Sequence, residues 1–144
     1  MCPFCLIAVG VEDEHVWTKQ GDVVLRDDLV TAFVAAGWWP NNAGHPNIMP
    51  NRHYENIFDL PLAYATAIHA AAQRCAVAFK QTYHCAGVST RQHNEPAVNQ
   101  DVWHYHLHIF PRYPDDRLYE LINERCRTTP AERLPYAERL RQVL

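Results

Sequence analysis

The decapeptide Trp103–Arg112, W-H-Y-H-L-H-I-F-P-R, constrains this chain more than any other stretch. Histidines stand at alternate positions, His104, His106 and His108, with Tyr105, Leu107 and Ile109 between and after them. A period of two reads as a β-strand, on which residues i, i+2 and i+4 project from one face. Three imidazoles then line one face, and Tyr105, Leu107 and Ile109 enter a core on the other. Neighbours on one face of a strand lie roughly 6.6 Å apart and the outer pair roughly 13 Å, whereas Zn–N bonds are roughly 2.0–2.1 Å. One ion can take two adjacent imidazoles but hardly three. At least one histidine is free for other chemistry.

The flanking sequence places this strand in an α+β chain. Strands are expected at His15–Lys19, Asp22–Arg26, Leu29–Ala36, His45–Pro50 and Gly87–Arg91, besides the histidine strand. Pro46 and Pro50 should mark the margins of theirs, since proline cannot donate to a ladder. One long helix is expected over about Leu62–Tyr83, with Pro61 in its first turn and Asp59 or a neighbour as cap. Its apolar stripe is Leu62, Ala65, Ile68, Ala72, Cys75, Ala76 and Phe79, at spacings of three and four. Two amphipathic helical segments follow, about Asp115–Arg127 and Pro130–Val143. The order β-β-β-β-α-β-β-α implies an antiparallel sheet with helices on one face.

Bulk properties exclude several classes. A chain of 144 residues suits one domain with a real core. The formal net charge of −3 does not imply a nucleic-acid surface. No apolar run reaches the length of a membrane span. The start, Met1-Cys2-Pro3-Phe4-Cys5, lacks the basic region and apolar core of a secretory signal. Five cysteines is an odd number without a disulfide-like spacing. A reducing cytoplasm is the expected location.

Cys2-x-x-Cys5 supplies two thiolates, half of a tetrahedral zinc site in a hairpin-like turn. With no second C-x-x-C, histidines must complete it, and His15, His45, His53, His104 and His108 are candidates. The rival is a thioredoxin-like redox pair, which normally opens a helix after a strand; no strand precedes this one. Cys75, Cys85 and Cys126 read as packed thiols.

Taken together, these residues resemble the histidine-triad (HIT) superfamily, in its zinc-containing bacterial type. H-Y-H-L-H-I-F fits the pattern His-apolar-His-apolar-His-apolar-apolar. Gly44-His45-Pro46-Asn47-Ile48-Met49-Pro50-Asn51-Arg52-His53 looks like the family's G-H-x-x-x-x-P-x-x-H. Cys2-Pro3-Phe4-Cys5 and Gln100, four residues before His104, match as well. The resemblance runs from Cys2 to about Tyr113. It implies a HIT-like fold of about five antiparallel strands, with the long helix packed on the sheet. The domain would span 1–144, with a core of about 1–113 and a helical extension of 114–144.

The resemblance also implies roles. His106 would be the nucleophile, attacking the α-phosphorus of a nucleotide to give a nucleotidyl-histidine that water then hydrolyses. His108 and His45 would surround the phosphate and supply hydrogen bonds or a proton. Gln100 would contact phosphate or the leaving-group side, and Asn94, Asn41 and Asn42 are further nucleotide-binding candidates. Cys2, Cys5, His53 and His104 would hold a structural zinc, the only cofactor implied. His15 and His69 match no family position, and His93 is a marginal substrate contact. The implied substrates are dinucleoside polyphosphates, nucleoside phosphoramidates and related adenylyl compounds, and the implied assembly is a homodimer. One departure concerns the segment Gly37–Pro40, where many relatives carry an Asp or Asn that binds ribose. Trp38 and Trp39 stand there as a base-stacking wall or as packing aromatics. The alternative function is a zinc-stapled nucleotide-binding or sensing module without turnover.

Overall fold

The computed structural model describes residues 1–144. A short helix α1 (Pro3–Ala8) precedes β1 (Val23–Arg26), β2 (Val30–Val34), β3 (Gly37–Trp38) and β4 (Pro46–Pro50). Helix α2 (Leu62–Thr82), β5 (Gly87–Arg91), β6 (Leu107–Arg112), β7 (Cys126–Arg127) and α3 (Pro130–Arg141) follow. The main sheet has five antiparallel strands in the order β1-β2-β4-β6-β5, and β3 pairs with β7 in a separate two-stranded ladder. The α+β class and the five-stranded sheet agree with the reading of the sequence.

Strand register sorts the side chains. Val23 faces Phe33, Phe33 faces Asn47, Asn47 faces His108 and His108 faces Arg91. This row crosses all five strands on one face. The alternate positions Val30, Ala32, Val34, Ile48 and Ile109 form the other face and pack with α2. Alanine has the best helix propensity, and α2 is rich in it. Its buried residues Ile68, Ala71, Ala72, Cys75, Ala78 and Phe79 recur at three and four. Each large apolar side chain so buried stabilises the fold by about 1.5–3 kcal/mol. Ala71 and Ala78 join the stripe, Ala65 and Ala76 of the expected set are only half-buried, and Leu62, at the helix start, is 84% exposed. Pro61 takes the cap position with extended dihedrals and no side-chain hydrogen bond, so Asp59 does not cap.

Four expectations are corrected. His15–Lys19 is not a strand: Asp13 Oδ1 accepts from the His15 amide at 2.8 Å, and Asp22 Oδ2 from the Lys19 amide at 2.7 Å. Local carboxylates thus take donors that a ladder would need. Cys2–Cys5 forms a helical turn rather than a hairpin, with Pro3 in the first turn of α1. The histidine strand begins at Leu107, not Trp103. Continuing the β4–β6 register (Asn47↔His108, Ile48↔Leu107) would set Pro50 against Tyr105, and proline has no N–H to give. The Tyr105 amide turns instead to the Tyr54 carbonyl at 2.6 Å. Finally, Asp115–Arg127 is a run of turns ending in β7, not a helix. Asp116 organises it, accepting from Arg112, Asn42 and the amides of Tyr113 and Leu118.

No helix of the chain is long and apolar enough to cross a membrane. Helix α3 is tied down by Arg133, which is fully buried and donates to both Asp22 carboxylate oxygens at 2.9 Å and to the carbonyls of Trp17 and Thr128. The Thr129–Glu132 capping box closes its N-terminus.

Candidate active site

A cavity of ≈ 320 Å³ opens on the Phe33–Asn47–His108 face of the sheet. Phe4 and Ile7 of α1, with Val16 and Phe33, form an apolar wall. Asn47, His106, His108, Asp101 and Arg125 supply the polar groups.

Two expected catalytic residues, His106 and His108, line this cavity, and His45 stands behind them. His106 is 5% exposed. One of its ring nitrogens, Nδ1, lies 2.8 Å from the His104 carbonyl. A carbonyl only accepts, so Nδ1 carries the proton and Nε2 keeps its lone pair. Burial holds the His106 pKa below the ordinary imidazole value, and the hydrogen bond to His104 opposes this without reversing it. The ring is therefore neutral at pH 7, the state a nitrogen nucleophile requires.

His108 and His45 form a coupled pair, with Nδ1 of His108 lying 3.4 Å from Nε2 of His45. His45 is fully buried between Trp39 and the stacked ring of Phe110, and its Nδ1 has no partner. A buried N–H without an acceptor is costly, so its proton belongs on Nε2, donated to His108. His108 then carries its own proton on Nε2. Burial, followed by the charges of Arg91 and Arg125, pushes the His45 pKa down to about 3. Burial also lowers His108 well below its usual value, helped by the neighbouring His106, His45 and Arg91. All three imidazoles are thus neutral, with one lone pair and one N–H available around the cavity.

The metal quartet also assembles. The ligating atoms of Cys2, Cys5, His53 and His104 all lie within 4.8 Å of one another. Sγ of Cys2 is 3.4 Å from Nδ1 of His104, and Sγ of Cys5 is 3.4 Å from Nδ1 of His53 and 3.6 Å from that of His104. A tetrahedral zinc with ordinary bond lengths has S···N edges of roughly 3.6 Å, so the donor set fits that ion. His104 Nε2 lies 2.8 Å from the Pro50 carbonyl and donates to it. The opposite nitrogen is thereby left free for a metal, the usual arrangement for a ligating histidine. The remaining histidine candidates, His15, His45 and His108, lie outside the quartet.

Gln100, Asn94, Asn41 and Asn42 do not line the cavity. Gln100 is buried, donating to the Glu55 and Val102 carbonyls and accepting from the Glu95 amide. Asn94 binds Gln92 and the Ile57 amide. Asn41 donates to the Asp116 carbonyl, and Asn42 to Pro111 and Asp116. Trp39 is 5% exposed and packs on Phe110, while Trp38 meets the Tyr136 ring edge-on, so both are packing aromatics. His93 lies edge-on to His108, with ring centroids 6.4 Å apart. His15 reaches the cavity mouth although its side chain is 87% exposed.

Among the cavity residues not expected from the sequence, three carry an amide or a charge. Asn47 had a signal: it is a polar residue inside the apolar strand P-N-I-M-P, opposite His108. Its Oδ1 is buried without a partner. Asp101 and Arg125 had none: Asp101 lies in a loop without periodicity, and Arg125 lies in a stretch whose helical pattern the fold does not follow.

Comparison with known proteins agrees with this architecture. The HIT domain family model matches residues 18–115. Protein hit of Bacillus subtilis is 30% identical over 112 residues, 78% of this chain and 71% of that protein. Among solved structures, a zinc-bound histidine triad family protein from Mycobacterium smegmatis superposes with a TM-score of 0.79 at 25% identity, covering 99% of this chain and 91% of that one. A Hit-like protein from Bartonella henselae, described as involved in cell-cycle regulation and solved with an unknown ligand, gives 0.71 at 27% identity, covering 85% and 86%. The chain belongs to the HIT domain family.

Proposed function

We propose that this protein is a nucleotidyl hydrolase or transferase working through a covalent histidine intermediate. The observation that carries the reading is the His106 tautomer: Nδ1–H is held by the His104 carbonyl at 2.8 Å, and the other nitrogen is free in a ring that lines the cavity. His106 Nε2 attacks the α-phosphorus of a nucleotide ester, anhydride or phosphoramidate. A P–N bond forms, the bond to the leaving group breaks, and the His108 Nε2–H is placed to hydrogen-bond the departing atom. His45 holds His108 in that tautomer. Water or another acceptor then attacks phosphorus, the P–N bond breaks, and a nucleoside monophosphate or its ester leaves. Asn47 lines the cavity opposite His108, where its side-chain N–H groups can donate to the phosphate, and the Phe4–Ile7–Phe33 wall accepts the base. Gln100, Asn94, Asn41 and Asn42 act by holding the loops around the cavity.

Zinc belongs to this proposal as a structural ion. Two thiolates and two imidazoles complete a tetrahedral set with no position left for substrate. A homodimer belongs to it too, with support from the edge position of β5 in the sheet; sedimentation at several concentrations tests it.

The decisive experiment is trapping. Incubation with an adenylyl substrate, a base quench and peptide mass spectrometry should find adenylate on His106. His106→Ala should abolish both adduct and turnover. Turnover unaffected by His106→Ala would remove the proposal, and nucleotide binding without adduct or turnover would establish the sensing module instead.

A further inference from the structure

The segment after residue 115 lies outside the family match, yet it builds part of the cavity. Strand β7 pairs with β3 through Gly37↔Arg127 and Trp38↔Cys126. The Thr128 amide donates to the Ala36 carbonyl at 2.8 Å, and the Trp39 indole donates to the Ile122 carbonyl at 2.9 Å. These ties hold Arg125 against the cavity beside His106 and His108.

The position is made for this side chain. A Cβ added at Gly37 would meet Arg125 Cδ at 3.0 Å and its Cγ and Nε at 3.3 Å. The arginine stem therefore occupies the room that a larger residue at 37 would need. Beyond the stem, the guanidinium is nearly idle. It makes a single hydrogen bond, to Asp101 Oδ2 at 3.1 Å, out of the five N–H groups an arginine offers. Both partners are about half exposed, at 45% and 50%, and such ion pairs contribute only about 0–1 kcal/mol. An incoming anion of higher charge can displace the carboxylate. A second guanidinium converges on the same place: Arg91 Cζ lies 4.5 Å and Arg125 Cζ 5.8 Å from the Trp39 ring centre. Nε and Nη1 of Arg91 are buried without any partner. Two cations thus gather around one indole, and one loosely held carboxylate, on Arg125, is their neighbour on the cavity side.

We propose that Arg125 is a substrate-binding, specificity-determining residue that takes an anionic phosphate of the substrate beyond the phosphorus attacked by His106. This rests on the nucleotidyl-transfer reading and deepens it: the substrate class is a nucleotide whose leaving group is itself a phosphate or polyphosphate. A bidentate fork suits phosphate oxygens. Arg91, with its two unpartnered nitrogens, adds positive potential from behind.

The test uses the zinc-loaded full chain with Arg125→Gln, which keeps the stem over Gly37 and removes the charge, and with Arg125→Lys. Calorimetric titration with inorganic tripolyphosphate should show binding to the wild type, weakened roughly 10- to 100-fold in Arg125→Gln and less in Arg125→Lys. In parallel, kcat/KM is measured for diadenosine triphosphate and for adenosine 5′-phosphoramidate, whose leaving group carries no phosphate. Their ratio should fall at least about 10-fold in Arg125→Gln. An unchanged ratio, or tripolyphosphate that fails to bind the wild type or binds Arg125→Gln as tightly, overturns the assignment. If the wild type turns over neither nucleotide, the function reading fails while the titration still decides the arginine. Unfolding midpoints of the variants confirm that the wall is folded in each.

Discussion

Below about pH 6.5 the fold loses stability through His45. This ring is fully buried between Trp39 and Phe110. Burial first, then the positive charges of Arg91 and Arg125, lowers its pKa from 6.5 to about 3. The unfolded chain takes up the proton first, so the stability is fully present above pH 6.5. It drains as the pH falls toward the folded value. Each pH unit in that window removes about 1.4 kcal/mol, so acidification to about pH 5 removes about 2 kcal/mol through this ring alone. His108 shifts in the same direction and steepens the loss. The assay is urea unfolding between about pH 7.5 and 5, for the wild type and for His45→Phe, which cannot titrate. Comparing slopes cancels the fixed cost of the substitution and the acid release of zinc, which both chains share. The wild-type line should be steeper by about 1.4 kcal/mol per pH unit below the midpoint. Parallel lines would refute the reasoning.

Other outcomes follow from the same contacts. Gly44 has φ +78°, and an added Cβ would collide with the Tyr136 ring and sit 2.8 Å from the Tyr83 hydroxyl; Gly44→Ala should cost about 3 kcal/mol by urea unfolding, from backbone strain plus overpacking. Arg133→Met leaves Asp22 buried and unpaired, so a loss of about 3–5 kcal/mol is expected, with partial recovery when Asp22→Asn is added. Chelation should lower the unfolding temperature of the wild type and of Cys126→Ser, whereas Cys5→Ser should start low and show no response to added zinc; an unchanged midpoint in chelated wild type would remove zinc from the account of stability.

Much of the site was readable because its residues obey local rules. The histidine row and the β4 margins at Pro46 and Pro50 follow from residue type and spacing, whereas spacing left five histidines open for the metal and only the family resemblance singled out His53 and His104 beside Cys2 and Cys5. The long helix followed from its alanines and its three-and-four stripe. Reading failed where tertiary partners overrode the pattern. Period two runs through Trp103–Arg112, yet the ladder starts at Leu107 because Pro50 has no proton for its neighbour. His15–Lys19 looks like a strand, but Asp13 and Asp22 capture its amides. The stretch Asp115–Arg127 has helical amphipathicity, and the carboxylate of Asp116 instead gathers a guanidinium, an amide side chain and two backbone amides into turns. Arg125 was invisible because nothing in its neighbours' sequence says that Gly37 lies beneath it.

The two-rung ladder between β3 and β7 has a consequence for how chains of this kind diversify. It joins the last thirty residues to the rest without sharing a strand with the five that carry the histidines. The tail is fastened elsewhere, through Leu118 on Trp39 and Phe110, through Arg133 on Asp22 and through Ala137 and Leu140 in the main core. The exposed residues 122–125 just ahead of β7 carry no such duty, so an engineer could vary them and select for new leaving groups with the reactive row and the core left in place.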